Sequence, residues 1–143
     1  MTGLSDIPVT VIDSGQEPEG ALSPQAIAVL EELESLLGEL AAGGDGGSID
    51  VRSLPLAPGD YALLKDFLGE GEVYATIDAL GVTEVRETAI AGIWWVIHRN
   101  NHEEVLADCI EVCEVPDIMK SQSEDIRQAI ETLRSRLTGL VND

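Results

Sequence analysis

Four short segments between residues 73 and 112 carry the apolar residues of a sheet, and the connections between them are short. The first two, 73–78 and 83–88, alternate apolar and polar residues, which is the two-residue period of a half-buried strand. The other two, 93–98 and 105–112, are more uniformly apolar. Because strands joined by short turns pair antiparallel, the sequence predicts a meander of about four strands.

Amphipathic helices are predicted on both sides of these strands. Ser23 is a good N-cap and Pro24 suits the first helical position, so a first helix begins there and ends before Gly43. A short helix is predicted over Asp60–Leu68 and a long one over Ser123–Leu140. The predicted fold class is therefore α+β, an antiparallel sheet with the N-terminal and C-terminal helices packed against it.

The last helix has a distinctive apolar spacing. Its apolar residues follow each other at intervals of four, three, four and three, the spacing typical of packed helices. They are Ile126, Ile130, Leu133, Leu137 and Leu140.

The chain divides into a lead and one domain. Residues 1–22 are rich in glycine, proline and acids and are predicted to be a flexible lead, in which 7–12 has the composition of an edge strand. Residues 23–143 are predicted to form a single domain, since 143 residues suffice for one hydrophobic core.

Charge excludes several classes of partner. Eight Lys and Arg oppose 27 Asp and Glu, a net charge of −19, so nucleic-acid binding is not expected and anionic membranes are disfavoured. No apolar run is long enough to span a membrane, and residues 1–16 lack a secretory signal. With only two cysteines, a cytoplasmic, reduced protein is the simplest interpretation.

Four residues are candidates for chemistry: Cys109, Cys113, His98 and His102. They would serve either a thiol-dependent enzyme or a protein that delivers a metal or an iron–sulfur group. Their spacing is not that of a usual zinc site, and a buried cysteine is usually a small hydrophobe. We therefore predict no enzyme activity, no resident metal and no cofactor, with metal or iron–sulfur delivery as the alternative.

Two further motifs have a structural and a functional interpretation each. Glu70-Gly71-Glu72 is either a tight turn or an acidic hairpin end that contacts a partner; its acids argue against a phosphate cradle. Trp94 and Trp95 point to opposite faces of their strand. Either helices cover both faces, or one ring is exposed and available to a partner.

Several short segments, in this order, resemble the C-terminal region of the HupH-type hydrogenase expression/formation proteins. They are 54–56 (Leu-Pro-Leu), 58–60 (Pro-Gly-Asp), 68–73 (Leu-Gly-Glu-Gly-Glu-Val), 83–88 (Thr-Glu-Val-Arg-Glu-Thr), 91–94 (Ala-Gly-Ile-Trp), 106–112 (Leu-Ala-Asp-Cys-Ile-Glu-Val) and 115–116 (Val-Pro). The resemblance implies an accessory protein, a chaperone in [NiFe] hydrogenase maturation, without catalytic residues. The implied client is the iron–sulfur small-subunit precursor before its twin-arginine-dependent export, or another hydrogenase assembly protein.

The partner is expected to contact acids, glycines and tryptophans at one end of the sheet. These residues are Glu70, Gly71, Glu72, Glu87, Gly92, Trp94 and Trp95. The sequence leaves the oligomeric state open, a homodimer being one option.

Overall fold

The computed structural model describes residues 21–142. Residues 1–20 of the predicted lead, with the candidate strand 7–12, lie outside the described part. The strands are β1 (Gly47–Asp50), β2 (Tyr74–Asp78), β3 (Val82–Glu87), β4 (Ile93–Arg99) and β5 (Val105–Val112). The helices are α1 (Pro24–Ala41), α2 (Asp60–Leu68) and α3 (Ser123–Asn142), with short 3-10 helices at Val51–Ser53 and Asp117–Met119.

The five strands form one antiparallel sheet in the order β1-β5-β4-β3-β2. The α+β class and the meander from β2 to β5 are confirmed. The expected count of about four strands is corrected to five, because β1 pairs with β5 and places Ile49 opposite Ile110. With four residues and glycine at its start, β1 carries too short a pattern to be recognised in the sequence.

Helices α1 and α2 cover one face of the sheet and form the main core with it. Leu33 of α1 and Leu64 of α2 are almost completely buried, together with Ile110 and Trp95 of the sheet. The Trp95 ring meets the Tyr61 ring edge-on at 5.4 Å between centroids. The apolar residues of these two helices therefore account for one face of the sheet.

A smaller core lies on the opposite face. Trp94, Val85 and Val96 are buried there, with Met119 of the second 3-10 helix packed against them. The indole Nε1 of Trp94 donates to the carbonyl oxygen of Cys113 at 3.1 Å. Among residues 21–142, the second 3-10 helix and side chains of the strands cover this face, and no α-helix packs on it.

A buried carboxylate joins the N-terminal ends of α1 and α2. Asp60, 2% exposed, accepts from the Ser23 hydroxyl, from the Ser23 backbone N–H at 3.2 Å and from the Ala57 N–H at 2.8 Å. The same hydroxyl accepts from the Ala26 N–H at 3.2 Å, so Ser23 caps α1 as predicted. The hydrogen bond from the Ser23 hydroxyl, assisted by the backbone N–H groups, lowers the pKa of Asp60 against the opposing effect of burial.

Asp60→Asn is expected to lower the melting temperature at neutral pH and to weaken its pH dependence in acid. Since the folded-state pKa lies below the unfolded one, this contribution is present above the unfolded pKa, near 4, and is lost as pH falls through the folded pKa. Thermal unfolding between about pH 3 and pH 7 checks this. Asp66→Asn changes an exposed residue of the same helix and is the control. If the melting temperature of Asp60→Asn fell with decreasing pH as steeply as that of the unmodified chain, the lowered pKa of Asp60 would be contradicted.

The C-terminal helix forms as predicted, but its expected packing against the sheet is wrong. Every residue of α3 is exposed, including the apolar series that begins at Ile126. The spacing of that series is typical of packed helices, but it does not specify the surface on which such a helix packs. Both faces of the sheet near it are already covered, by α1 and α2 on one side and by the 3-10 helix at Asp117–Met119 on the other.

Candidate functional site

Four of the expected partner-binding residues come together at one end of the sheet. Glu70, Gly71 and Glu72 belong to the connection between α2 and β2, which we call the acidic loop (residues 69–73). The Gly71 backbone N–H donates to the carbonyl oxygen of Glu87 at 2.8 Å, and the Glu72 N–H donates to Glu87 Oε1 at 3.1 Å. The fold therefore ties this loop to the end of β3 and leaves the side chains of Glu70 and Glu72 exposed.

The two expected glycines have backbone roles. A Cβ at Gly71 would lie 2.4 Å from the carbonyl oxygen of Thr88, so only glycine lets the loop approach β3 this closely. Gly92 has φ +90°, and a Cβ there would lie 3.0 Å from Leu37 of α1. Gly71 therefore allows the acidic loop to lie close to the end of β3, and Gly92 allows the β3–β4 turn to lie close to α1.

The tryptophans point to opposite faces, as the strand geometry requires, but neither ring is available to a partner. Trp94 is 5% exposed and Trp95 is 3% exposed. The expectation that one ring contacts a partner is therefore corrected: Met119 packs over one face, and α2 covers the other. The Trp95 ring fills space in the main core, and the Trp94 ring fills space in the smaller core.

The exposed apolar surface next to the acidic loop belongs to β2. Within residues 21–142, no strand pairs with the outer edge of β2, which ends the sheet. Tyr74 is 55% exposed, and the Arg86 guanidinium carbon lies 4.1 Å from its ring centroid. The alternation of 73–78 predicted a half-buried strand but carried no signal that this strand is an edge, since pairing with distant residues decides that.

A polar cleft of about 440 Å³ lies beside the acidic loop, between α2 and the strands β3 and β4. Its basic residues are Lys65, Arg86 and Arg99, and Glu70 lines it from the loop. The Glu84 carboxylate faces Arg86 at 3.9 Å and Arg99 at 3.7 Å. Because acids and bases alternate along its walls, the cleft suits a polar peptide segment that carries both donors and acceptors.

A buried hydrogen-bond network forms the floor of this region. Asp108, 6% exposed, accepts from the Trp95 indole at 2.5 Å and from the Tyr61 hydroxyl at 2.6 Å. Burial, and then the neighbouring Asp108, raise the pKa of Tyr61. Burial lowers the pKa of Lys65, and the Nζ atom of Lys65 lies 4.4 Å from the centroid of the Trp95 ring. Both oxygens of Asp108 are engaged, so the network holds the α2–sheet contact.

The candidate thiols are poorly suited to nucleophilic or ligand chemistry at neutral pH. Burial, followed by neighbouring acids, raises the pKa of Cys109, and the same causes raise the pKa of Cys113 to about 11. The thiolate is the form that attacks carbon or binds metals, and it is scarce under these conditions. His98 Nδ1 is engaged with the Thr83 hydroxyl at 2.6 Å, and His102 lies in the exposed β4–β5 turn.

Across residues 21–142, no three side chains of His, Cys, Asp or Glu are grouped closely enough to hold a metal ion. Over the same residues, none of the helices combines the length and apolar character that a membrane span requires.

Comparison with known proteins gives a consistent result. The family model described as "HupH hydrogenase expression protein, C-terminal conserved region" matches residues 24–140. The solved structure of the hydrogenase expression protein HupH from Thiobacillus denitrificans ATCC 25259 is 39% identical, with a TM-score of 0.78, and the match covers 83% of this chain and 99% of that one.

Curated relatives are longer. The hydrogenase expression/formation protein HupH of Rhizobium leguminosarum bv. viciae is 30% identical over 86% of this chain and 43% of its own length. The hydrogenase expression/formation protein HoxQ of Azotobacter vinelandii is 34% identical over 70% of this chain and 35% of its own length. The chain thus spans less than half the length of these two relatives.

Proposed function

Since the chain belongs to the HupH family of hydrogenase expression proteins, we propose that it acts in hydrogenase maturation as a non-enzymatic chaperone. Its client is an immature hydrogenase subunit, the iron–sulfur small-subunit precursor, which it meets in the cytoplasm before export. One observation supports a binding role: the side chains of the acidic loop are exposed. The names of the relatives support the place in hydrogenase maturation.

The proposed binding mode rests on one observation: the acidic loop leads directly into β2, whose outer edge ends the sheet within residues 21–142. An edge strand presents unpaired backbone N–H and C=O groups, onto which an extended segment can add as a further strand. Glu70 and Glu72 lie immediately before this edge, and the exposed Tyr74 stands on it. This surface suits an extended client segment that carries basic residues and an apolar side chain.

Charge and burial have different roles in this mode. The carboxylates of Glu70 and Glu72, in a chain of net charge −19, attract a basic segment and raise the association rate. Backbone pairing along β2 and contact with the Tyr74 ring supply most of the affinity, since aromatic anchors dominate binding energies. Charge-reversal and ring-removal variants should therefore respond differently to salt.

Glu70→Lys/Glu72→Lys is expected to reduce capture of a co-expressed small-subunit precursor about tenfold at low salt. The deficit shrinks at high salt because screening weakens the attraction in the unmodified chain as well. Affinity capture of the tagged full chain, with the bound precursor quantified by immunoblot at two salt concentrations, measures this. Glu32→Lys/Glu103→Lys changes the net charge equally at exposed positions elsewhere and should leave capture near that of the unmodified chain.

Tyr74→Ala, in the same assay, should lower capture at both salt concentrations, since it removes apolar contact. Equal capture by Tyr74→Ala and the unmodified chain would exclude the β2 edge as the docking surface. Capture of the hydrogenase large subunit in place of the small-subunit precursor would refute the proposed client.

A further inference from the structure

An apolar groove runs between α1 and α2, and Ile90 and Ile93 of the β3–β4 turn and strand β4 also line it. It has a volume of about 320 Å³. Its walls include Ile27, Leu30 and Leu37 of α1 and Phe67 of α2. Ile27 is 45% exposed and Phe67 is 60% exposed, so the groove displays apolar surface that residues 21–142 leave uncovered.

The α3 helix displays an apolar face that no other part of residues 21–142 covers. The series from Ile126 to Leu140 is 44–74% exposed along its length. Most of the stability of a helix in a protein comes from packing its amphipathic face rather than from the helix propensity of its residues. A formed helix of 20 residues with its apolar face exposed therefore indicates a partner outside the described fold.

Charge favours the groove as the place where such a helix fits. The α1 sequence contains four glutamates and no basic residue, and Glu31 and Glu34 line the groove. The apolar face of α3 is bordered by Arg127 and Arg134 on one side and by Arg136 on the other. Arg127 and Arg134 pair with Glu124 and Glu131 of their own helix, at 2.8 Å and 3.3 Å, whereas Arg136 forms no such pair within residues 21–142. The arginines beside the apolar face of α3 can still face the glutamates beside the groove, and helices of 18 and 20 residues have similar lengths.

The same charges disfavour pairing of α3 with another α3. With Ile126 and Leu133 at position d and Ile130 at position a of a heptad, the flanking e and g positions of α3 contain Arg127, Arg134 and Arg136 and no acid. In a coiled coil those positions face the partner helix, and no acid at an e or g position of one copy would meet an arginine of the other; the acids that pair with Arg127 and Arg134 belong to the same helix.

We propose that α3 of a second copy of this chain packs into the α1–α2 groove, and that the exchange is reciprocal, giving a two-fold symmetric dimer. Residues 120–122 connect each α3 to its own domain. No residue of α3 is buried against that domain within residues 21–142. The dimer does not depend on the proposed client, because the groove and the acidic loop are separate surfaces.

The test uses the purified full chain without any hydrogenase subunit, and sedimentation velocity measures its molar mass across concentrations. The unmodified chain is expected to be a dimer. Leu133→Asp in α3 and Phe67→Asp in the groove should each raise the dimer Kd roughly a hundredfold, because each places a carboxylate in an apolar contact. Leu80→Asp, at a position 89% exposed in the β2–β3 turn, is the matched control and should stay dimeric.

Mixing the two monomeric variants tests exchange between copies. Leu133→Asp retains an intact groove and Phe67→Asp retains an intact α3, so the mixture should form a heterodimer with one unimpaired contact. Arg127→Glu/Arg134→Glu should also weaken the dimer, and adding Glu31→Arg/Glu34→Arg to the same chain should restore it, which separates a lost contact from a misfolded variant.

Each alternative occupant gives a distinct result. A monomeric unmodified chain would overturn the proposal, including the case in which α3 folds back onto its own groove. A dimer broken by Leu133→Asp but unaffected by Phe67→Asp would indicate α3–α3 pairing and would equally overturn it. Failure of the mixed variants to form a heterodimer would exclude the reciprocal exchange.

Discussion

Trp95→Ala is expected to lower the free energy of unfolding by about 3–5 kcal/mol, a large part of the roughly 5–15 kcal/mol available to a domain. The indole is 3% exposed and packs edge-on against Tyr61. Its removal leaves a cavity between α2 and the sheet and takes a hydrogen-bond donor from the buried carboxylate of Asp108. Urea denaturation followed by far-UV circular dichroism measures the change.

Tyr74→Ala is the informative control for this substitution. It also removes an aromatic ring from a strand, but from an exposed edge position, so we expect the stability to change by less than about 1 kcal/mol. Loss of stability at Trp95 and loss of client capture at Tyr74 would separate the core from the docking surface. Comparable stability of Trp95→Ala and the unmodified chain would show that the indole is not part of the core.

Gly81→Ala is the second substitution with a large expected effect, and it should lower the free energy of unfolding by about 2–4 kcal/mol. Gly81 has φ +120° in the β2–β3 turn, and a Cβ there would lie 2.1 Å from the carbonyl oxygen of Arg99. An L residue is strained at this φ, and the obstructing atom is backbone, which moves only if the neighbouring turn moves. The same denaturation measurement should show a lower midpoint with an unchanged slope.

A glycine-to-alanine substitution inside a helix is expected to raise the free energy of unfolding instead of lowering it. Gly38 lies within α1, and a Cβ there would meet nothing within 4 Å. Gly38→Ala should therefore raise the free energy of unfolding by about 0.5–1 kcal/mol, because alanine favours the helix. A destabilised Gly38→Ala, or a Gly81→Ala chain as stable as the unmodified one, would contradict the backbone geometry on which both expectations rest.

The start of α1 and both ends of α2 were predicted correctly from local signals, whereas α3 continues beyond the predicted Leu140 to Asn142. Ser23 and Pro24 begin α1, and α2 occupies Asp60–Leu68, since caps and glycine stops act within a few residues of the helix end. Strand β1 was missed because it has only four residues and is formed by its pairing with β5.

The candidate site was predicted only in part, for a related reason. The acidic loop and Glu87 were predicted together and are joined by backbone hydrogen bonds. The role of Tyr74 was not predicted, because its exposure follows from the position of β2 at the edge of the sheet. The groove at Phe67 was not predicted either, since its walls come from two helices that are distant in sequence.

The sequence by itself determined the three α-helices, the four strands of the antiparallel meander, the opposite directions of Trp94 and Trp95 and the amphipathic character of α3, because periodicity and capping are properties of consecutive residues. Only the tertiary structure decided that β1 joins the sheet and that both tryptophans are buried. It also decided that, within residues 21–142, β2 ends the sheet and α3 does not pack on it. These outcomes depend on which distant surfaces meet, and an apolar periodicity shows that a face is to be covered without specifying what covers it.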